Sequence, residues 1–186
     1  MIWNRIYVKG DYHGQFRGLK EFCQKYNTTT NDLLICLGDV AVNYNLNVYD
    51  EERKRFLSNM PITFLMLRGN HEARPENIPT MRKCYDKRFE CEVYYEQEYP
   101  NIYYINCGVF NLNGLRCLAI SGAYSVDKEY RLMMGRQWFA DEQPTEEEKE
   151  LVRAAVKENP VFHYIFTHTC PISREPTYLF LNNIDQ

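Results

Sequence analysis

Six side chains able to bind a metal or move a proton stand just after apolar runs in this chain of 186 residues. Asp11 and His13 follow residues 6–8. Asp39 follows 33–37, Asn70 and His71 follow 62–67, and His168 follows 161–166. In an open α/β sheet the carboxyl ends of the strands form the crevice where ligands collect. Carboxylates, imidazoles and an amide converging there make a cage of oxygen and nitrogen, which suits Mn, Fe or Zn better than a thiolate site does. Singly, each residue also has a plainer reading. Asp11 beside Gly10 and Asn70 after Gly69 are turn residues, and Asp39 after Gly38 is a helix cap. The ordered set is what points to chemistry: Gly-Asp-Tyr-His-Gly at 10–14, Gly-Asp-Val at 38–40, Gly-Asn-His-Glu at 69–72 and Thr-His at 167–168 each follow a strand-like run.

The elements that must position these blocks can be read from the pattern. Residues 6–8, 33–37 and 62–67 are short apolar runs bounded by glycine, the mark of buried strands. Between them, Phe16, Leu19, Phe22 and Cys23 predict a helix over 15–26, and a second helix is expected over 49–58, stopped before Pro61. This alternation predicts an α/β sheet. Residues 73–100 read as an irregular excursion. The runs 102–112 and 115–121 read as one hairpin, because Asn113-Gly114 suits a turn needing positive φ at both central residues. Residues 122–142 read as loop. A helix over 144–158 opens with proline and three glutamates, which favour the positive end of its dipole. A last strand covers 161–166. Nothing divides the chain, so one domain over 1–186 is expected.

The four blocks, in this order, resemble those of the calcineurin-like metallophosphoesterases, with Gly69-Asn70-His71-Glu72 the most specific. Gly-Ala-Tyr-Ser-Val-Asp-Lys at 122–128, Glu142-Gln143-Pro144 and Thr-His-Thr-Cys-Pro at 167–171 are similar to a bacterial and prophage-borne branch of that family. The resemblance implies a four-layer fold of two stacked sheets with helices outside, and a cofactor of two divalent metal ions (Mn, Fe or Zn). By resemblance, one metal takes Asp11, His13 and Asp39, and the second shares Asp39 and adds Asn70 and His168. His71 stands off the metals as the catalytic residue that protonates or orients the leaving oxygen, and Asn70 also binds substrate. The implied reaction is hydrolysis of phosphomonoesters or phosphodiesters by a water activated between two cations. The alternatives are a nuclease or cyclic-nucleotide phosphodiesterase, and a degenerate domain that binds metal or a partner without turnover.

Two departures from the family pattern stand out. After Asp39 the chain runs Val40-Ala41-Val42-Asn43-Tyr44, without the further acid or Asp-Arg pair that supports the catalytic histidine and grips phosphate in protein phosphatases. Asn43 is left as a candidate partner for His71. The closing Gly-His-x-His block is also missing, since no histidine follows His168, and a C-terminally incomplete domain is expected. An exposed C-terminal edge and self-association through it would follow. Arg68, Arg74 and Arg131 are candidate phosphate ligands, with Arg74 preferred because it directly follows the metal block. Tyr124 and Lys128 are candidates to line the cleft. His163 reads as a strand residue rather than a ligand.

Composition narrows the partners. A formal net charge of −3 provides no net basic field, so nucleic acid enters only as a substrate. No apolar run approaches the length of a membrane span. The seven cysteines include no C-x-x-C pair and read as free thiols, which predicts the cytoplasm.

Overall fold

The computed structural model describes residues 2–174. Four strands, β1 (Ile6–Lys9), β2 (Leu33–Cys36), β3 (Thr63–Leu67) and β6 (Ile102–Ile105), lie parallel and adjacent in that order. Two antiparallel strands, β5 (Cys91–Tyr95) and β4 (Arg82–Asp86), extend the sheet beyond β6. The second sheet has β7 (Gly108–Leu112) and β8 (Leu115–Ile120) as a hairpin, with β9 (Tyr164–Thr167) parallel to β8.

Strand alternation explains the layering. Leu33, Ile35, Leu65, Leu67 and Ile105 point from the large sheet toward Phe110, Leu112, Cys117, Ala119 and Phe166 of the small one, forming a single apolar core. The alternate residues Leu34, Cys36, Phe64, Met66 and Tyr104 face the other way. They pack on α1 (Leu19–Tyr26) and α2 (Val48–Ser58) through Leu19, Cys23 and Leu57. On the far side, α4 (Glu146–Glu158) runs along β7 and takes a donor bond from Arg116 Nη2 to Ala155 O at 3.2 Å. The order is helix, sheet, sheet, helix, as the family resemblance implied. All seven cysteines are unpaired. Among the described residues, no helix is long and apolar enough to cross a membrane.

Several element expectations are corrected. The first helix starts at Leu19 rather than 15, because Gly18 takes a left-handed conformation (φ 82°) and turns the chain first. Residues 73–100 are not merely irregular. They hold the β4–β5 hairpin, a partly exposed edge whose charges, such as the Lys83–Glu92 pair at 2.6 Å, hide its strand character. The run 102–112 is two strands, not one. The chain leaves the large sheet after Ile105 and enters the small sheet at Gly108, so the hairpin turn at Asn113-Gly114 (φ 56° and 86°) joins β7 to β8 only. Within 122–142 lies a short helix, α3 (Lys128–Met133). The end of the expected 1–186 domain, residues 175–186, lies outside the described residues.

Candidate metal centre

The loops after β1 and β2 are locked to each other by backbone bonds. The amides of Tyr12 and His13 donate to Asp39 O at 3.2 and 2.8 Å, and Gly14 N donates to Val40 O at 3.0 Å. His13, Asp39 and Ala41 take positive φ (47°, 50° and 65°), a cluster of left-handed residues that only a well-determined surrounding holds in place. The β3 loop is clasped to the same point. His71 N donates to Asp39 Oδ1 at 3.0 Å. The buried Glu72 carboxylate accepts from Ala41 N at 2.9 Å and Gly69 N at 3.2 Å. Burial and the nearby Asp39 charge push the Glu72 carboxyl up to about 7, against the pull of its backbone donors.

Side chains from four strands meet at this junction. Ligand atoms of Asp11, His13 and Asp39 all lie within 4.8 Å of one another. His13 Nε2 is 3.3 Å from Asp11 Oδ2 and 4.0 Å from Asp39 Oδ2, and His168 Nε2 is 3.8 Å from Asp39 Oδ2. Most of these separations exceed hydrogen-bond length. They fit the at most ~4.2 Å between two ligands that share one ion at ~2.1 Å each. The donor set therefore fits a divalent cation.

A second feature points the same way. His168 Nδ1 lies 2.7 Å from Leu37 O, which can only accept, so Nδ1 carries a proton there. Its other nitrogen, Nε2, faces Asn70 Oδ1 at 2.9 Å. The Asn70 amide is fixed in that sense, since its Nδ2 donates to Ser125 Oγ at 2.9 Å. Ser125 is held in turn by the Glu142 carboxylate through its hydroxyl and its amide (2.8 Å). With its proton on Nδ1, a neutral imidazole would aim the Nε2 lone pair at a carbonyl oxygen. That conflict is relieved by a proton on Nε2 or by a cation that accepts both donors. Leu37 O and the Ser125–Glu142 pair are outer groups of the kind that orient metal ligands.

His71 stands beside these groups in a different setting. Its Nε2 is 3.8 Å from Asp39 Oδ2 but 2.7 Å from Arg131 Nη2. Burial holds the His71 imidazole below the ordinary histidine value, with Asp39 pulling up and Arg131 pushing down. The Asn43 carboxamide expected to support His71 is instead buried, and its Oδ1 has no partner among the described residues. A pocket of about 180 Å³ opens here, lined by His13, Asp39, Ala41, Tyr44, Arg53, His71 and Arg131.

The arginine preference departs from expectation. Arg74 is buried and donates to both carboxylate oxygens of Glu148 at 3.0 Å and to the carbonyls of Asp141 and Gln143. Its fork anchors the N-terminus of α4, so it does not face the cluster. Arg68 is likewise buried, donating to Glu142 O. Lys128 lies over the Trp138 ring at 4.4 Å, and His163 accepts from Arg116 N at 3.1 Å at the entrance to β9. Ser125, Glu142, Glu72 and Arg53 were not singled out from sequence as site residues. The first two do lie in the blocks 122–128 and 142–144, and Glu72 closes the most specific motif, so position alone marked them.

Comparison with known proteins adds a family. No curated protein matches the chain. Among solved structures it is similar to that of a protein of unknown function from Aquifex aeolicus, with 16% identity over 84% of this chain and 75% of that one, and a TM-score of 0.39. The family model for calcineurin-like phosphoesterase matches residues 4–182, which takes in every strand of both sheets and all the residues of the cluster. The chain belongs to the calcineurin-like phosphoesterase family.

Proposed function

We propose that the protein hydrolyses phosphate esters with two divalent cations bound at the strand ends. Asp11, His13 and Asp39 would hold one ion, and Asp39, Asn70 and His168 the other. When bound, such a pair of ions supplies Lewis acidity for the phosphoryl oxygens and a hydroxide nucleophile near neutral pH. The observation that carries the reading is the convergence of His168 Nε2, Asn70 Oδ1 and the buried Asp39 carboxylate, with Nε2 2.9 Å from Oδ1 and 3.8 Å from Asp39 Oδ2, next to the Asp11–His13–Asp39 cluster.

The chain's own residues do the remaining work. Hydrolysis forms a bond from a water oxygen to phosphorus and breaks the bond to the ester oxygen, which must leave with a proton. His71 is the group placed to give it. His71 borders the pocket and its Nε2 accepts from Arg131 Nη2 at 2.7 Å, so Nε2 carries the proton for the leaving oxygen only once that guanidinium N–H turns to the substrate phosphoryl group and the ring takes up a proton from water. His71 is therefore read as a proton donor and not as a ligand.

Metal analysis and kinetics together test this. Purified protein supplied with Mn2+ should bind the ion and turn over 4-nitrophenyl phosphate, and chelation should abolish turnover. Asp39→Asn should lose both metal and rate. His71→Ala should keep its metal and lose rate by roughly 10²–10⁴, the usual contribution of a positioned acid. A protein that binds Mn2+ but hydrolyses no ester would be a binding domain, and metal loss in His71→Ala would show that His71 is a ligand.

A further inference from the structure

We propose that Arg131 is the phosphate-gripping residue of this site and that it selects terminal phosphomonoesters; the proposal rests on the hydrolase reading above. Arg131 comes from α3, and 60 positions separate it from His71, yet its Nη2 meets the His71 ring at 2.7 Å. The guanidinium is braced on its other sides. Nε donates to Asp127 Oδ2 at 2.8 Å, and Nη1 to Tyr44 OH at 3.3 Å and Gln137 O at 3.2 Å. Those bonds account for four of the five guanidinium N–H groups and leave one on Nη2 for the pocket that Arg131 lines together with Asp39 and His71.

This is an unusual place for a merely structural cation. Arg131 is only 8% exposed, while Asp127, the carboxylate bonded to it, is 41% exposed on its side chain. A buried cation calls for an anion close by. Asp127 serves its outer edge, while its inner edge meets the His71 ring and no carboxylate, so an incoming phosphoryl group would add a counter-charge on that side. A second guanidinium, Arg53, borders the same pocket, anchored by Nη1 to Ala41 O at 2.8 Å and paired with Asp50 Oδ1 at 3.3 Å. Two guanidinium forks at one pocket match the three free oxygens of a terminal phosphoryl group better than the two of a diester. A planar fork already held in place grips such oxygens at little entropic cost. Asp127 then acts as a positioning residue, since it touches Arg131 and not substrate.

The test uses the Mn2+-loaded full chain and four proteins: wild type, Arg131→Gln, Arg131→Lys and Asp127→Asn. Inorganic phosphate is titrated by calorimetry, and 4-nitrophenyl phosphate and bis(4-nitrophenyl) phosphate are compared as substrates. Loss of a charge-assisted bond should weaken phosphate binding about 10–100-fold in Arg131→Gln. The lysine variant should fall between, because it keeps the charge and loses the fork. Monoester kcat/KM should drop with phosphate affinity, and diester turnover should change far less. Asp127→Asn should raise KM with little change in kcat. Phosphate affinity within about twofold of wild type in Arg131→Gln, with a lowered Tm, would make Arg131 a helix brace and overturn the proposal; a ~10-fold change is only 1.4 kcal/mol, so the two outcomes are well separated. A wild type that prefers the diester overturns the monoester assignment. Failure of the hydrolase reading looks different: neither ester is turned over, while phosphate still separates wild type from Arg131→Gln.

Discussion

Single residues divide here into those whose type announces them and those whose role only the fold creates. Asp11, His13, Asp39, Asn70 and His168 were legible because each follows an apolar strand and sits in a short block. The structure brings all five to one junction. Arg131 was one of three candidates in sequence, and Arg74, which follows the metal block, was preferred. Sequence proximity misled because the residues after His71 turn away, and the Arg74 fork is taken by Glu148. Removing it should therefore cost stability and not phosphate affinity. Arg74→Ala breaks a buried pair, a change worth about 3–5 kcal/mol. Chemical denaturation should show that loss, and phosphate titration of the surviving folded protein should match wild type. Ser125 makes the opposite case. Ser125→Ala releases the Asn70 amide from its anchor and should weaken Mn2+ binding by about 10–100-fold, as losses of outer-shell partners do. An unchanged Mn2+ affinity would show that Asn70 is held well enough without it.

At the scale of elements, β2 and β3 were read nearly to the residue, since a strand buried on both faces is an unbroken apolar run that glycine ends. Edges and sheet changes were not. β4 and β5 are half polar, and nothing in the composition of 102–112 marks the point where the chain leaves one sheet for the other. The glycines that end β2 and β3 do more than stop them. Gly38 has φ 103°, and a Cβ there would lie 2.5 Å from His168 Nδ1 and 2.8 Å from the Gly69 backbone. A Cβ on Gly69 would fall on the Asp39 carboxylate. The two loops can approach only because both lack side chains. Gly69→Ala should therefore displace Asp39 and abolish Mn2+ binding while circular dichroism stays close to wild type. Gly38→Ala carries backbone strain as well, on the order of 1–3 kcal/mol, and should also lower the Tm. Retained metal affinity in Gly69→Ala would mean that Asp39 is not a ligand.

For the whole molecule, the notable fact is that the site straddles the two sheets. Asp11, Asp39 and Asn70 hang from the ends of β1, β2 and β3, whereas His168 follows β9 of the small sheet. Between the sheets lies an apolar core of side chains such as Leu33, Leu65, Phe110 and Phe166, which attracts strongly but sets position weakly, because the hydrophobic effect is non-directional. Polar contacts at the strand ends fix the position: His168 to Leu37 O, and His168 to Asn70. An ion shared by Asp39, Asn70 and His168 would be a clamp across that interface, binding the folded chain and not the unfolded one. Mass action then sets the effect. Free Mn2+ at 100 times its Kd should add about 2.7 kcal/mol of stability. For a chain of this size each kcal/mol moves the Tm by about 2–4 °C, so a rise of roughly 5–10 °C is expected. Asp39→Asn should remove the rise, His168→Ala should cut it to what the ion at Asp11, His13 and Asp39 supplies, and Phe166→Ala should lower the Tm by a cavity cost of about 3–5 kcal/mol while leaving the rise in place. Thermal melts with and without Mn2+ decide the matter: a wild type that does not respond, or an His168→Ala protein that responds as fully as wild type, would show that no ion ties the small sheet to the large one.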